Sequence, residues 1–396
     1  MKAKILVLGL VLATVATVVI YPSLRGNATN AVQPRPSIQP AGKAKVEVVF
    51  VLDTTGSMGG LIDAAKEKVW SIATTLAQAD PAPEITMGLI AYRDRGDAYV
   101  TKIVDLSQDL DSMYATLMDF AAEGGGDGPE DVNQALYDAV NQMSWSQDQS
   151  TYKVLFLVGD APPHMDYQDG AKYPEIIAAA AAKGIVVNTI QCGGSVETVN
   201  PWRHIAALGN GRYFTVEQAG SAVAIASPFD SEIARLAAEL DATRLYYGSD
   251  EDRARMDAKV AATARLHESA STAAQARRGV FNATQSGAAN MLGVSELVHD
   301  VASGRVDLSA VPSAELPLPL VGLSLEEQSE VIEATAQRRE QLQERIVELA
   351  GERDAFITGE VEELGGTADS LDRQIYEAVR EQAAPKGLSY EGGPKY

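Results

Sequence analysis

The residues of this chain best suited to chemistry are oxygen donors. Asp53-Thr54-Thr55-Gly56-Ser57 sets a carboxylate and two hydroxyls at alternate positions, directly after an apolar run. On a turn entering a helix, three such side chains can converge on one point, and hard cations require oxygen ligands of that kind. A simpler reading makes Ser57 or Thr55 a helix cap, with Asp53 favouring the helix N-terminus. Two further loops weigh against capping alone. Gly124-Gly125-Gly126-Asp127-Gly128-Pro129-Glu130-Asp131 carries carboxylates to the start of a second helix. Val158-Gly159-Asp160-Ala161-Pro162-Pro163-His164 puts Asp160 behind another apolar run. Three loops that bring oxygen ligands to one edge are hard to explain as three independent caps.

Those loops need a framework. Val46 to Leu52 is nearly continuous apolar sequence, as for a strand covered on both sheet faces. From Leu61 to Ala79, apolar side chains at Leu61, Ala65, Val69, Ile72 and Leu76 predict a helix. Strands follow over Ile85 to Tyr92 and Tyr99 to Asp105. After them come a helix over Pro129 to Met143, a strand over Tyr152 to Gly159 and a helix over Tyr173 to Lys183. A strand over Ile185 to Gln191, a short helix over Pro201 to Leu208, a strand over Gly211 to Val216 and a helix from near Ala219 complete the series. This alternation predicts an α/β, Rossmann-like domain with a mostly parallel central sheet flanked by helices. Ligands bind such sheets at the carboxyl ends of the strands.

The three acidic loops on this framework resemble the metal-ion-dependent adhesion site of von Willebrand factor A domains, over roughly residues 45–245. The stretches DTTGSM, AYRDRGD, GGGDGPEDV and VGDAPPH are together similar to a bacterial and protist subgroup that includes the A domains attached to alpha-kinases. The resemblance implies that Asp53, Thr55, Ser57, Asp127 and Asp160 are the metal ligands, with no catalytic residue. The family's second loop supplies a threonine, whereas the matching position here is acidic. That donor stays open among Asp127, Glu130 and Asp131, with Asp127 preferred. The cation implied is Mg²⁺, with Mn²⁺ or Ca²⁺ as alternatives.

The rest of the chain divides into segments of different character. Lys2 and Lys4 precede an uncharged apolar run from Ile5 to Tyr21 that Pro22 ends, the layout of an export signal or a retained membrane anchor in residues 1–22. Residues 23–44 read as a flexible linker. Residues 246–396 read as a helical C-terminal region, and the last dozen residues as a loose tail. Within it, residues 249–300 favour helix, Val311 to Leu323 should be extended, and Leu325 to Glu363 should form a long charged helix. Ile332, Leu342, Ile346, Leu349 and Phe356 make a seam on that helix, which Arg339 and Arg353 interrupt. A helical hairpin or modest coiled coil fits that pattern.

Charge and cysteine content exclude other classes. A formal net charge of −21 argues against binding a nucleic-acid backbone. One cysteine, Cys192, permits neither an intramolecular disulfide nor a cysteine-based zinc site, and it reads as a small buried residue. His164 lies near the third loop, where a surface or capping role is the simpler reading. Arg95-Gly96-Asp97 reads as a turn and not as an adhesive tripeptide.

Together these readings describe a metal-dependent protein-binding module for adhesion or assembly, exported to a bacterial cell envelope. It would be periplasmic, or anchored in the inner membrane and facing outward if the N-terminal segment is kept. A partner's Asp or Glu would complete the metal's ligands, and the C-terminal helices could make a homo-oligomer. A scaffold with a purely structural metal is the alternative, and a metal-dependent enzyme the more distant one.

Overall fold

The structure, a computed structural model, describes residues 43–126, 128–216, 225–363, 370–391 and 393. The expected export segment, nearly all of the linker, the helix start near Ala219 and Asp127 lie outside the described residues. Six strands form the central sheet: β1 (Lys45–Asp53), β2 (Glu84–Tyr92), β3 (Thr101–Ser107), β4 (Tyr152–Gly159), β5 (Ile185–Cys192) and β6 (Asn210–Val216). Their order is β3-β2-β1-β4-β5-β6, parallel except for β3, which runs antiparallel to β2. The expected mostly parallel α/β sheet is therefore the observed one.

Continuous apolar strands follow from burial on both faces. Val46, Val48, Phe50 and Leu52 of β1 join one core with α1 (Ile62–Ala77) and α2 (Leu110–Met118). Val49 and Val51 join the other with α3 (Val132–Asn141), α4 (Tyr173–Ala182) and α5 (Val196–Leu208). The chain leaves β1 toward β2 on one side and reaches β4 on the other, so the strand order reverses between β1 and β4. Such a switch point opens a crevice at the carboxyl ends of the two strands, and Asp53 and Asp160 stand at those ends.

The remaining helices are α6 (Asp230–Asp241), α7 (Asp250–Ser269), α8 (Thr272–Asn282), α9 (Gln285–Leu292), α10 (Leu297–Ala302), α11 (Leu325–Glu363) and α12 (Leu371–Ala383). Contacts join Lys43–Tyr396 into one compact unit. The helix that closes the sheet comes from the far end of the chain. Leu371, Ile375, Tyr376 and Val379 of α12 enter the same core as β1, and α12 packs on α1 and β6. Asp372 accepts hydrogen bonds from Lys68 (2.6 Å) and Ser71 (2.7 Å) of α1. Gln382 accepts from Tyr152 (2.8 Å) and donates to Asn188 (2.9 Å). The helices that cover the sheet therefore come from two separated stretches of chain, with the helices of residues 225–363 lying between β6 and α12 in sequence.

Three local expectations change for physical reasons. The final residues are not loose through Tyr390: Ser389 exchanges backbone hydrogen bonds with Asp80 (2.8 and 2.9 Å), and Leu388 and Tyr390 are buried. Residues 311–323 wind into short 3₁₀ turns at Ser313–Glu315 and Leu318–Leu320. The seam on α11 is used inside the chain. Leu342, Ile346 and Leu349 pack against Ile233, Leu236 and Leu240 of α6, while Ile332 meets Leu297 and Leu320. Arg339 and Arg353, which break the apolar seam, are buried ion-pair partners of Glu296 (3.0 Å) and Asp230 (2.8 Å). Among the described residues, no helix is long and apolar enough to cross a membrane.

Candidate metal centre

The β1 loop places its oxygens by a chain of contacts. Asp53 Oδ1 accepts from the Thr55 hydroxyl (2.6 Å) and from the Thr55 backbone N–H (2.9 Å). Thr55 Oγ1 lies 3.2 Å from Ser57 Oγ, and Ser57 donates to Asp160 Oδ1 at 2.9 Å. Neither hydroxyl caps a helix: Thr55 precedes the 3₁₀ turn Gly56–Gly60 without a side-chain cap bond, and α1 starts after Leu61, also uncapped by a side chain. The capping reading therefore fails, and the four side chains face one another.

The other loops are tied to this one through the backbone. Gly56 N–H donates to Gly124 O (3.1 Å), and Glu123 N–H donates to Thr54 O (3.0 Å). Gly124 takes φ +75°, and a Cβ there would lie 2.4 Å from the Asp97 carboxylate, so both conformation and space demand glycine. Asp97 in turn accepts from Gly125 N–H at 3.0 Å. Arg95 pairs with Asp131 (2.8 Å) and Asp169 (2.7 Å). Arg95-Gly96-Asp97 is thus spent on internal contacts, as a turn.

The second loop sorts its acids by role. Asp131 caps α3, accepting from Gln134 N–H at 3.0 Å. Glu130 points inward and is 3 % exposed. Its N–H donates to Pro162 O (3.0 Å) and its carbonyl accepts from His164 N–H (3.1 Å), which fixes it against the third loop. A Cβ on Gly125 would meet Thr55 Cβ at 3.5 Å and Glu130 Oε1 at 3.6 Å, so both flank one spot. Sequence reasoning held Glu130 as an alternative without preferring it. It missed Tyr92, whose buried hydroxyl has no hydrogen-bond partner among the described residues. The place of Tyr92 at the end of β2, where β1 ends in Asp53, was the available signal. His164 is buried and serves loop structure: Nδ1 meets Asp166 at 2.8 Å, and the ring stacks on Tyr167 with centroids 4.1 Å apart.

Electrostatics set this cluster apart. Burial, with the nearby Asp160 charge adding to it, pushes Asp53 up to about 7 against the help of Thr55. Burial and the charges of Asp53, Asp94 and Asp97 push Glu130 up to about 9. Burial also raises Asp160. Asp53 Oδ2 and Glu130 Oε2 are buried with no hydrogen-bond partner among the described residues. Buried carboxylates in that condition are costly unless a cation pairs with them. Among the described residues no group of three or more acidic, histidine or cysteine side chains is placed to hold a metal ion, so the donor set that a divalent cation would fit is the linked pair of carboxylates and pair of hydroxyls of Asp53, Asp160, Thr55 and Ser57. Cys192 is buried as expected, its thiol pushed up to about 12 by burial and by Asp160 and Asp53.

Residues 47–226 match the family model of the von Willebrand factor A domain. The chain is 39 % identical over 114 residues to von Willebrand factor A domain-containing protein 7 of Rattus norvegicus, covering 29 % of this chain and 12 % of that protein. It is 28 % identical over 120 residues to the alpha-protein kinase vwkA of Dictyostelium discoideum, covering 30 % of this chain and 19 % of that one. This chain therefore spans a fifth or less of the length of these relatives. Among solved structures, proximal thread matrix protein 1 of the mussel byssus, with a zinc-occupied MIDAS motif, aligns at 14 % identity and a TM-score of 0.36. That alignment covers 45 % of this chain and 43 % of the mussel protein.

Proposed function

This chain carries a von Willebrand factor A domain, and from that premise we propose that it is a metal-dependent protein-binding module. In this reading a divalent cation, Mg²⁺ first and Mn²⁺ or Ca²⁺ next, is held at the carboxyl ends of β1 and β4. Asp53, Thr55, Ser57 and Asp160 hold it, with an acid from the second loop. The bound cation would supply a fixed positive charge with a preference for oxygen, and an Asp or Glu of the partner would answer it. The observation that carries this reading is Asp53 Oδ2, buried where three loops meet and without a hydrogen-bond partner among the described residues.

The loops are already fastened by backbone hydrogen bonds between Thr54, Gly56, Glu123, Gly124, Glu130 and Pro162. A cation used only as a staple would add little to them, which favours binding over a purely structural metal. The His164 ring, the base that sequence reading put beside the site, is engaged by Asp166 and Tyr167. The basic, then apolar N-terminal segment supports export to a bacterial cell envelope, with the domain on the outer side.

Capture of partners from envelope extract by the full chain tests the function. Binding should be lost on adding EDTA and in Asp53→Ala, while the fold, followed by circular dichroism, persists. Unchanged capture in EDTA would sink the proposal.

A further inference from the structure

One face of α11 packs inward through Ile332, Leu342, Ile346 and Leu349. A neighbouring face does not. Glu330, Ala334 and Arg338 follow one another along it at four-residue spacing, which aligns them on the helix, and all three are exposed. Beside them opens a cleft of about 430 Å³, walled by Ala242 and Leu245 after α6, by Pro319, and by Val331, Ala334 and Arg338 of α11. Apolar side chains stand near its Pro319 wall. Leu318 is 89 % exposed, and Val321 and Leu325 are 53 % and 50 % exposed. An apolar projection next to a cleft, on a chain of net charge −21, marks a surface that meets another molecule.

The charges on this face identify that molecule. Glu330 and Arg338 are opposite in sign and equally far from Ala334 along the helix. With a second α11 laid antiparallel across the first, and a two-fold axis at Ala334, each Glu330 faces the Arg338 of the other copy. A parallel second copy sets Glu330 against Glu330 and Arg338 against Arg338, which repels. Arg338 already holds Glu239 through one terminal nitrogen, and a guanidinium has five N–H donors, so others serve the second copy. Glu326, Glu333, Glu340 and Glu344 lie on a different face of α11 and do not oppose their counterparts. Ala334 carries only a methyl group, so the two helices approach closely at the axis. A two-fold contact needs a patch that complements itself, and Leu318 beside the cleft gives one copy a projection and the other a recess. We propose that this face of α11, with Leu318 and the cleft, pairs two copies of the chain as an antiparallel dimer. The interface lies in the helices after residue 225 and does not depend on the metal reading.

Sedimentation velocity of the full chain across micromolar concentrations tests this, and a monomer–dimer equilibrium is expected. Glu330→Arg and Arg338→Glu should each weaken the dimer roughly tenfold or more. The two substitutions together should restore it, because the facing charges are then only exchanged. Circular dichroism melts of each variant separate a lost contact from a lost fold. Ala334→Cys reads the axis independently of charge. Cys192 is buried, so mild oxidation should cross-link two copies through position 334. Gly351→Cys, exposed further along the same helix, should not cross-link. A monomer at every concentration overturns the proposal. A dimer that neither charge reversal weakens, or that the double exchange fails to restore, overturns this face as the contact. Cross-linking at 351 in preference to 334 overturns the antiparallel arrangement about Ala334.

Discussion

Two buried groups of carboxylates in this chain have opposite surroundings. Around Arg278, Asp111 of α2 and Asp241 of α6 are each within hydrogen-bond distance of the guanidinium, at 2.6 and 2.7 Å. Lys259 reaches Asp109, and Arg244 lies 3.9 Å from Asp111. Burial alone would raise Asp111 and Asp241, but Arg278 overcomes it and holds both below the ordinary carboxylate range. At the loop edge, Asp53, Glu130 and Asp160 are buried or half-buried, and all three are pushed up. Among the described residues none of these three forms an ion pair. The chain supplies cations to its acids where the helical layer meets α2; at the loop edge it pairs Asp131 with Arg95 but, among the described residues, gives Asp53, Glu130 and Asp160 no cation. A cluster built to bind a cation from solution has that second character.

The difference can be broken most severely by removing one side of it. Ending the chain at residue 226, where the family match stops, deletes Arg278, Arg244 and Lys259, the cations around Asp111, and uncovers the face of α2 that carries it. It also deletes α12, so the core loses Leu371, Ile375, Tyr376 and Val379. No cooperative thermal transition is expected from that fragment; a wild-type-like melt would show that the helical layer is dispensable. A narrower break is Arg278→Ala, which strands two buried carboxylates and should cost about 3–5 kcal/mol in urea denaturation. A loss below about 1 kcal/mol would mean that the network behaves like a surface ion pair.

Acid distinguishes the two groups next. Asp111 and Asp241 are held low, so the unfolded chain takes up protons first as the pH falls. Their stabilisation is complete above about pH 5 and is lost as the pH drops below the ordinary carboxylate pKa of about 4 toward the lower folded values. Urea midpoints in EDTA should therefore fall steeply between about pH 5 and pH 3, and Arg278→Ala should flatten that slope. The smallest change should come from Glu130→Gln in EDTA. Removing an ionisable group from an unpaired buried position should raise stability by about 1 kcal/mol. A loss of that size would instead make Glu130 part of a satisfied intrachain network.

Much of the framework was legible because it rests on local pattern. The apolar runs of β1 and β4, and the glycine-rich and acidic loops, announce themselves within a few residues. The role of α12 was not legible, because nothing near Leu371 states that it will pack on α1 and β6 some 150 to 300 positions away. Arg339 and Arg353 looked like flaws in a coiled-coil seam for the same reason: Glu296 and Asp230, their partners, lie far off in sequence. In the second loop, Asp127, Glu130 and Asp131 fall within five positions, and the sequence alone does not say which one turns inward. For Glu130, backbone bonds to Pro162 and His164 decide it, and those belong to another loop.

The central claim is that the unpaired acids at the carboxyl ends of β1 and β4 hold a divalent cation. Crystals of the full chain grown with Mn²⁺ and measured at the manganese absorption edge test it most directly. The account predicts one anomalous peak in contact with side-chain oxygens of the Asp53-Thr54-Thr55-Gly56-Ser57 loop, with Asp160 beside it. An empty cluster at saturating Mn²⁺, with Asp53 and Glu130 hydrogen-bonded only to protein and water, would contradict it.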